Sequence, residues 1–305
     1  MAATLGEPIP EQLRRVATPT EGIVMNPASE DRSLEGRTVI MSGGSRGIGE
    51  AIAVRAARRG ANVAMIAKTT EPHPKLPGTI YTAAAAVEEA GGKALPLVGD
   101  IRDDDSVADA VARTAAEFGG IDIVVNNASA LDLTPTEHIS MKKYDLMQDI
   151  NARGAFLLTK TAIPHLRRSA NGHVLTLSPP INLDPKWFGE IGTAYTISKF
   201  AMSLVTIGLS AELAEDGIAV NSLWPRTTID TAAVRNILGE KLVSRSRTPG
   251  IMADAAMSII TRPSSEATGN CFIDDEVLAA DGIVDLSGYR VAPGEEELEL
   301  DFWME

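Results

Sequence analysis

The chain has 305 residues and a formal net charge of −13, a balance that disfavours general binding to nucleic acid or anionic membranes. An anionic cofactor therefore needs a local basic patch. The single cysteine, Cys271, excludes an intrachain disulfide and a zinc site built from cysteines, and it suits a reducing compartment.

Residues 1–34 contain Pro8, Pro10, Pro19 and Pro27 among polar neighbours, and predict an extended arm rather than a domain. They lack the charged start and apolar centre of a secretory signal. No stretch of the chain is apolar enough to span a bilayer, so the expected location is the cytoplasm.

From Thr38 onward, short apolar runs alternate with segments of helical period. Strands are predicted at 38–42, 62–67, 94–98, 121–125, 173–177, 218–223 and 270–273. Helices are predicted at 49–59, 79–90, 103–118, 140–168, 194–215 and 253–260, the fourth kinked by Pro164. Residues 178–192, with three prolines, Trp187 and Phe188, are read as a loop. The expected fold is α/β: a Rossmann-type doubly wound, seven-stranded, mostly parallel sheet with helices on both faces. It occupies 35–290 and is followed by an acidic tail, 291–305, that is either frayed or held by a partner subunit.

The first strand runs into Ser42-Gly43-Gly44-Ser45-Arg46-Gly47-Ile48-Gly49, a glycine-rich turn opening a helix. Gly43 permits a tight turn, Gly47 lets backbone approach a diphosphate, and Gly49 allows close helix packing; the exposed amides favour phosphate. Such a turn can equally be structural. The second strand ends in Ala67-Lys68-Thr69, where binding of NAD ribose hydroxyls calls for a carboxylate. Lys68 and Arg46 instead offer two cations to a ribose 2′-phosphate, which favours NADP(H), unless both are merely solvated. Asp100, followed by Ile101, stands after the third strand as an adenine partner or a helix cap. Asn126, Asn127 and Ala128 follow the fourth, beside the cofactor or as loop residues.

Tyr195-Thr196-Ile197-Ser198-Lys199 sets a phenol and an ammonium on one helix face. A free phenol titrates near 10, too high for proton exchange near neutrality; a nearby ammonium and an oxidised nicotinamide are expected to lower it. Tyr195 then serves as acid or base in carbonyl reduction or alcohol oxidation.

Taken in order, Gly43 to Gly49, Asp100, Asn126-Asn127-Ala128, Asn151 and Tyr195 to Lys199 resemble the short-chain dehydrogenase/reductase family over roughly residues 34–274. The stretches 67–75, 178–183 and Leu223-Trp224-Pro225 resemble its hydroxysteroid-dehydrogenase-like subgroup, whose animal members carry an added sterol-carrier domain; none is expected here. The resemblance implies that Tyr195 is the acid/base and that Lys199 holds the nicotinamide ribose and lowers the phenol pKa. It also implies that Asn151 supports a water-mediated proton path and that Ser178 orients the substrate oxygen. The implied cofactor contacts are Gly43, Ser45, Arg46, Gly47, Ile48, Gly49, Lys68, Asp100, Ile101, Asn127, Ala128, Tyr195, Lys199, Pro225 and Thr228, with Thr231 a neighbour in uncertain register.

Two departures from the family pattern stand out. Pro179 occupies the place of the second, usually catalytic serine, and the spacing from Ser178 to Tyr195 is long, which leaves Ser178 open to a loop-capping role. Pro225-Arg226 replaces the common Pro-Gly, so that Arg226 meets either an anionic ligand or a structural carboxylate. Trp187, Phe188 and Trp224 suggest a fairly apolar carbonyl or alcohol substrate, or simply loop packing. The leading expectation is an NADP-dependent oxidoreductase; the alternative is an NADP-binding regulatory or scaffold protein with little turnover. The resemblance further implies a homodimer or homotetramer joined through the helices at 140–168 and 194–215, and no metal is expected.

Overall fold

The computed structural model describes residues 31–73, 76–237, 239–294 and 296–305; most of the expected N-terminal arm lies outside them. Residues 31–34 belong to the fold rather than to an arm: Leu34 is buried in the core and its amide donates to the Arg59 carbonyl.

Seven strands form one sheet in the order β3-β2-β1-β4-β5-β6-β7, and every pairing is parallel. They are β1 (Thr38–Ser42), β2 (Asn62–Ala67), β3 (Lys93–Val98), β4 (Ile123–Asn126), β5 (His173–Thr176), β6 (Ala219–Trp224) and β7 (Cys271–Ile273). The central strands are buried along their whole length, as covering on both faces requires. Pro96, which lacks an amide to donate, is placed in β3, at the sheet's edge.

The helices are α1 (Gly47–Arg58), α2 (Ile80–Glu89), α3 (Asp104–Phe118), α4 (Met141–Met147), α5 (Gly154–Leu166), α6 (Pro185–Ile191), α7 (Thr193–Glu212), α8 (Ala232–Ile237), α9 (Gly250–Thr261) and α10 (Asp274–Ala280). Alternation along the strands divides the core in two. Val39 and Met41 point into a layer shared with Ile52 of α1, Val87 of α2 and Met257 of α9; Ile40 points into a layer with Val107 of α3, Leu158 of α5 and Leu209 of α7. The strand order reverses between β1 and β4, which opens a crevice at their C-terminal ends.

Three expectations are corrected. The helix predicted at 140–168 is interrupted not by Pro164, which sits in the last turn of α5, but by a π-helical turn, Gln148–Arg153. That wider turn carries the buried Asn151, whose amide is drawn onto the Ala130 backbone. The segment at 178–192 is not all loop: Asp184 accepts a hydrogen bond from the Lys186 amide, Pro185 occupies the first turn, and α6 buries Trp187 and Ile191 one turn apart. Proline there starts a helix rather than breaking one.

The third concerns the acidic tail, which packs on the chain's own fold rather than fraying. The Thr228 amide donates to the Glu299 carbonyl and the Asp301 amide to the Arg226 carbonyl, laying the segment antiparallel to the chain that follows β6. Trp303 and Met304 are buried in a third apolar cluster with Tyr195, Phe200 and Trp224, at the C-terminal end of the sheet. Among the described residues Trp303 is also the non-glycine residue with positive φ, 66°, and its indole N–H is buried without a partner. The segment thus buys one large aromatic contact at the cost of some backbone strain and one unmade hydrogen bond.

Trp303→Ala is expected to lower the unfolding free energy by about 3 kcal/mol in urea denaturation, since a fully buried aromatic is removed. An unchanged midpoint would mean that the segment does not dock in solution.

Candidate active site

Gly43, at φ +72°, turns the chain out of β1, and a Cβ there would stand 2.8 Å from the Ala128 Cα. A Cβ on Gly49 would stand 2.5 Å from the Asn127 side-chain nitrogen. The glycines are therefore required by the close approach of the loop after β4. The Asn127 side chain donates to the Gly43 carbonyl at 2.8 Å, and the Asn127 and Ala128 amides donate to the Ser42 hydroxyl at 3.2 and 3.1 Å. Gly47 has φ +58°, and no side chain caps α1 at Arg46. Ser45 is buried, while Ile48 packs on the first core layer. Asn126, by contrast, is structural: its amide donates to Thr159 and Thr176 within the core.

Arg46 and Lys68 line one surface cavity with Thr69 and Thr70. Arg46 donates to the Gly78 carbonyl, and Lys68 pairs with Asp100 at 2.9 Å while remaining largely exposed. Asp100 does not cap α3; Asp103 does, accepting from the Ser106 amide. The Asp100 carboxylate receives the Arg102 guanidinium and Lys68, which hold it far below the usual carboxylate range despite partial desolvation. Ile101 is buried in the second core layer.

Tyr195 and Lys199 share the buried face of α7, 5% and 2% exposed. The Lys199 ammonium donates to the Leu177 carbonyl at 2.6 Å and lies 4.9 Å from the Trp224 ring centre. The Tyr195 ring lies 5.9 Å from the Trp303 ring. Covered in this way, the phenol is pushed well above its ordinary pKa by desolvation, with Asp301 adding to the rise and the Ser129 hydroxyl opposing it. The lowering expected from Lys199 is not found, because burial acts on both groups: it brings the ammonium down to about 7. Asp301, half-buried and close enough to act on both, is raised to about 7, by desolvation first.

Asn151 joins the two halves of the site. Its carbonyl accepts from the Ala130 amide at 2.7 Å, and its amide donates to the Ala130 carbonyl and to Ser198 of α7. The Ser178 hydroxyl is buried without a hydrogen-bond partner, so it caps no loop group and is not bonded to Tyr195. Arg226 turns to Asp275 and Glu276, the structural alternative for that residue. Pro225 and Thr228 are buried after β6, where the Thr228 hydroxyl bonds Ser246 rather than facing an open pocket.

Sequence reasoning missed Ser129, although it directly follows the asparagine motif, and Asp301. It named Trp303 without its destination. Among the described residues, no group of three or more His, Cys, Asp or Glu side chains is placed to hold a metal ion, and no helix is long and apolar enough to cross a membrane.

A family model described as short chain dehydrogenase matches residues 37–241. The chain belongs to the short-chain dehydrogenase family. Family members are oxidoreductases that use a nicotinamide cofactor. Hydroxysteroid dehydrogenase-like protein 2 of Xenopus tropicalis is 52% identical over 272 residues, covering 89% of this chain and 64% of that protein. The Homo sapiens protein of the same name is 48% identical with the same coverage, so the chain spans just under two thirds of the length of these relatives. A crystal structure of a short chain dehydrogenase from Mycobacterium thermoresistibile matches with a TM-score of 0.84 at 54% identity, over 89% of this chain and 96% of that one.

The raised Asp301 makes a signed prediction. The folded protein binds a proton there more tightly than the unfolded chain, so this group's contribution to stability is lost as pH rises from about 4 towards 7. Asp301→Asn should therefore gain stability relative to wild type over that window, by up to about 1.4 kcal/mol per pH unit. A difference between the two proteins that does not change with pH would contradict the desolvation of this carboxyl.

Proposed function

We propose that the protein is an NADP(H)-dependent reductase and dehydrogenase acting on a carbonyl or secondary alcohol of a fairly apolar substrate. The observation that carries this reading is the position of Tyr195 and Lys199 on one buried helix face, beside the loop that packs on the glycine-rich turn. The left-handed Gly47, at φ +58°, and the uncapped start of α1 suit a diphosphate lying against backbone amides. Arg46 and Lys68, with Lys68 rather than a carboxylate directly after β2 and Glu71 three residues further along the same cavity, suit a ribose 2′-phosphate; Lys68 exchanges its partner Asp100 for that phosphate or bridges both.

The nicotinamide, when bound, supplies or accepts the hydride. The protein's own residues manage the proton. Tyr195 donates it to the carbonyl oxygen in reduction and accepts it back in oxidation. Lys199 supplies positive charge one turn away, and its bond to the Leu177 carbonyl fixes the ammonium against β5. Asn151 holds the π-helical turn and the loop after β4 in register with α7. Trp187, Phe188, Phe200 and Trp224 surround the phenol side of the site and favour an apolar substrate. Trp303 must move from Tyr195 for that substrate to enter. The same cover favours a second reading, an NADP-binding regulatory protein with little turnover.

Phe156 of α5 with Ile197 and Leu204 of α7 are exposed apolar residues on the two helices expected to join subunits. A homodimer or homotetramer buries them, and light scattering should return twice or four times the chain mass; a monomer would contradict this assembly.

Tyr195→Phe should bind NADPH with wild-type affinity and lose turnover by at least roughly a hundredfold across a panel of apolar ketones. If neither protein oxidises NADPH with any ketone, the regulatory reading replaces the enzymatic one. Arg46→Ala and Lys68→Ala should weaken NADPH binding more than NADH binding, and equal effects would contradict the assignment of NADP.

A further inference from the structure

We propose that the aromatic cage formed by Tyr195, Phe200 and Trp224 is a substrate subsite for a flat carbocyclic ring, and that Trp303 is its built-in occupant, which such a ring displaces. The inference rests on the acid/base reading of Tyr195. It adds the chemical class of the substrate and the residue that competes with it.

The Trp303 indole centre lies 5.9 Å from the Tyr195 ring centre, 5.5 Å from that of Phe200 and 5.5 Å from that of Trp224. At these separations aromatic faces and edges attract one another. The three cage residues come from α7 and the end of β6, at the C-terminal edge of the sheet, which is where ligands bind in this architecture. A ring held in the indole's place therefore rests directly against the tyrosine that handles the proton.

The cage is not tailored to tryptophan. It offers the indole N–H no acceptor, so a ring of carbon alone fills the same space with no hydrogen bond left unmade. The Trp303 backbone, at φ 66°, lies in the left-handed region, a strain that is relieved when the residue is released. A carbocyclic ligand carries neither penalty.

The segment that carries the indole is anchored at one end. The Glu299 amide donates to the Arg245 carbonyl, its carbonyl accepts from the Thr228 amide, and the Asp301 amide donates to the Arg226 carbonyl. Among the described residues, the polar contacts that 302–305 make with the rest of the chain come from side chains. The Trp224 N–H donates to the Phe302 carbonyl at 3.0 Å, Asn182 to the Trp303 carbonyl at 3.4 Å, and Lys186 pairs with the Glu305 carboxylate at 2.9 Å. The last pair is exposed and screened by water. Residues 302–305 are thus free to swing from the anchor at 299–301 with the sheet intact.

The test uses methyl naphthyl ketone and methyl decyl ketone, an aryl and a linear ketone of equal carbon number. Their binding to wild type and Trp303→Ala is measured by equilibrium dialysis with NADP present, and amide exchange of residues 302–305 is followed in wild type by mass spectrometry. Trp303→Ala should bind the naphthyl ketone roughly tenfold more tightly than wild type, with KM falling in step and NADPH affinity unchanged, because the subsite is no longer filled. In wild type, a saturating concentration of that ketone should speed exchange at residues 302–305, the reverse of what a ligand does to a wall it rests on. This second arm needs no variant, so it decides the matter if Trp303→Ala does not fold. Weaker, unchanged or undetectable ketone binding in Trp303→Ala, or wild-type exchange that slows or stays the same, overturns the assignment. Equal or tighter binding of the decyl ketone by Trp303→Ala overturns the ring class. Binding is read without turnover: if Tyr195→Phe reduces ketone like wild type while Trp303→Ala binds tightly, the reading of Tyr195 falls and the subsite stands.

Discussion

The structure depends on four residues, Asn127 to Ala130, being tied from two directions. Ser42, at the end of β1, receives two of their amides, and Asn151, in the π-helical turn, takes both backbone groups of Ala130. Because β1 and β4 flank the point where strand order reverses, this loop forms one wall of the crevice. It also explains the glycines: Gly43 and Gly49 lack side chains because the loop occupies the space that side chains would need. The glycine-rich turn and α7 are thereby held in one frame, since Asn151 also reaches Ser198.

Burial sets the electrostatics of the other wall. Tyr195 lies against Trp303 and Lys199 against Trp224, and desolvation drives these two groups and Asp301 towards their neutral forms. A phenol in this state is neutral and keeps its proton, and the Trp303 indole lies against it. The indole is held by a strained backbone and an unpaired N–H, so its withdrawal relieves costs as well as losing contact. Access to the site and the protonation of its residues are therefore coupled through one segment.

Much of this was legible in the sequence because it is local. Alternating apolar runs, the glycine-rich turn, the paired asparagines and the four-residue spacing of Tyr195 and Lys199 each express a short-range rule, and the sheet follows from repeating them. What was not legible involves residues distant in the chain. That Asn151 would widen its helix depends on Ala130, and that Trp303 would cover Tyr195 depends on backbone pairing with residues 226–228. Proline misled at Pro185, because its effect depends on position within the helix rather than on its presence. Asp100 was a reasonable cap by spacing, yet Asp103 stands closer to the helix start and takes that place.

The most direct measurement is a crystal structure of the protein with NADP bound. The account predicts the diphosphate on the backbone between Gly43 and Gly49, the 2′-phosphate between Arg46 and Lys68, and the nicotinamide against residues 127–130 with the Tyr195 hydroxyl facing it. A nicotinamide bound away from that loop, with the phenol directed elsewhere and still sealed beneath Trp303, would contradict it.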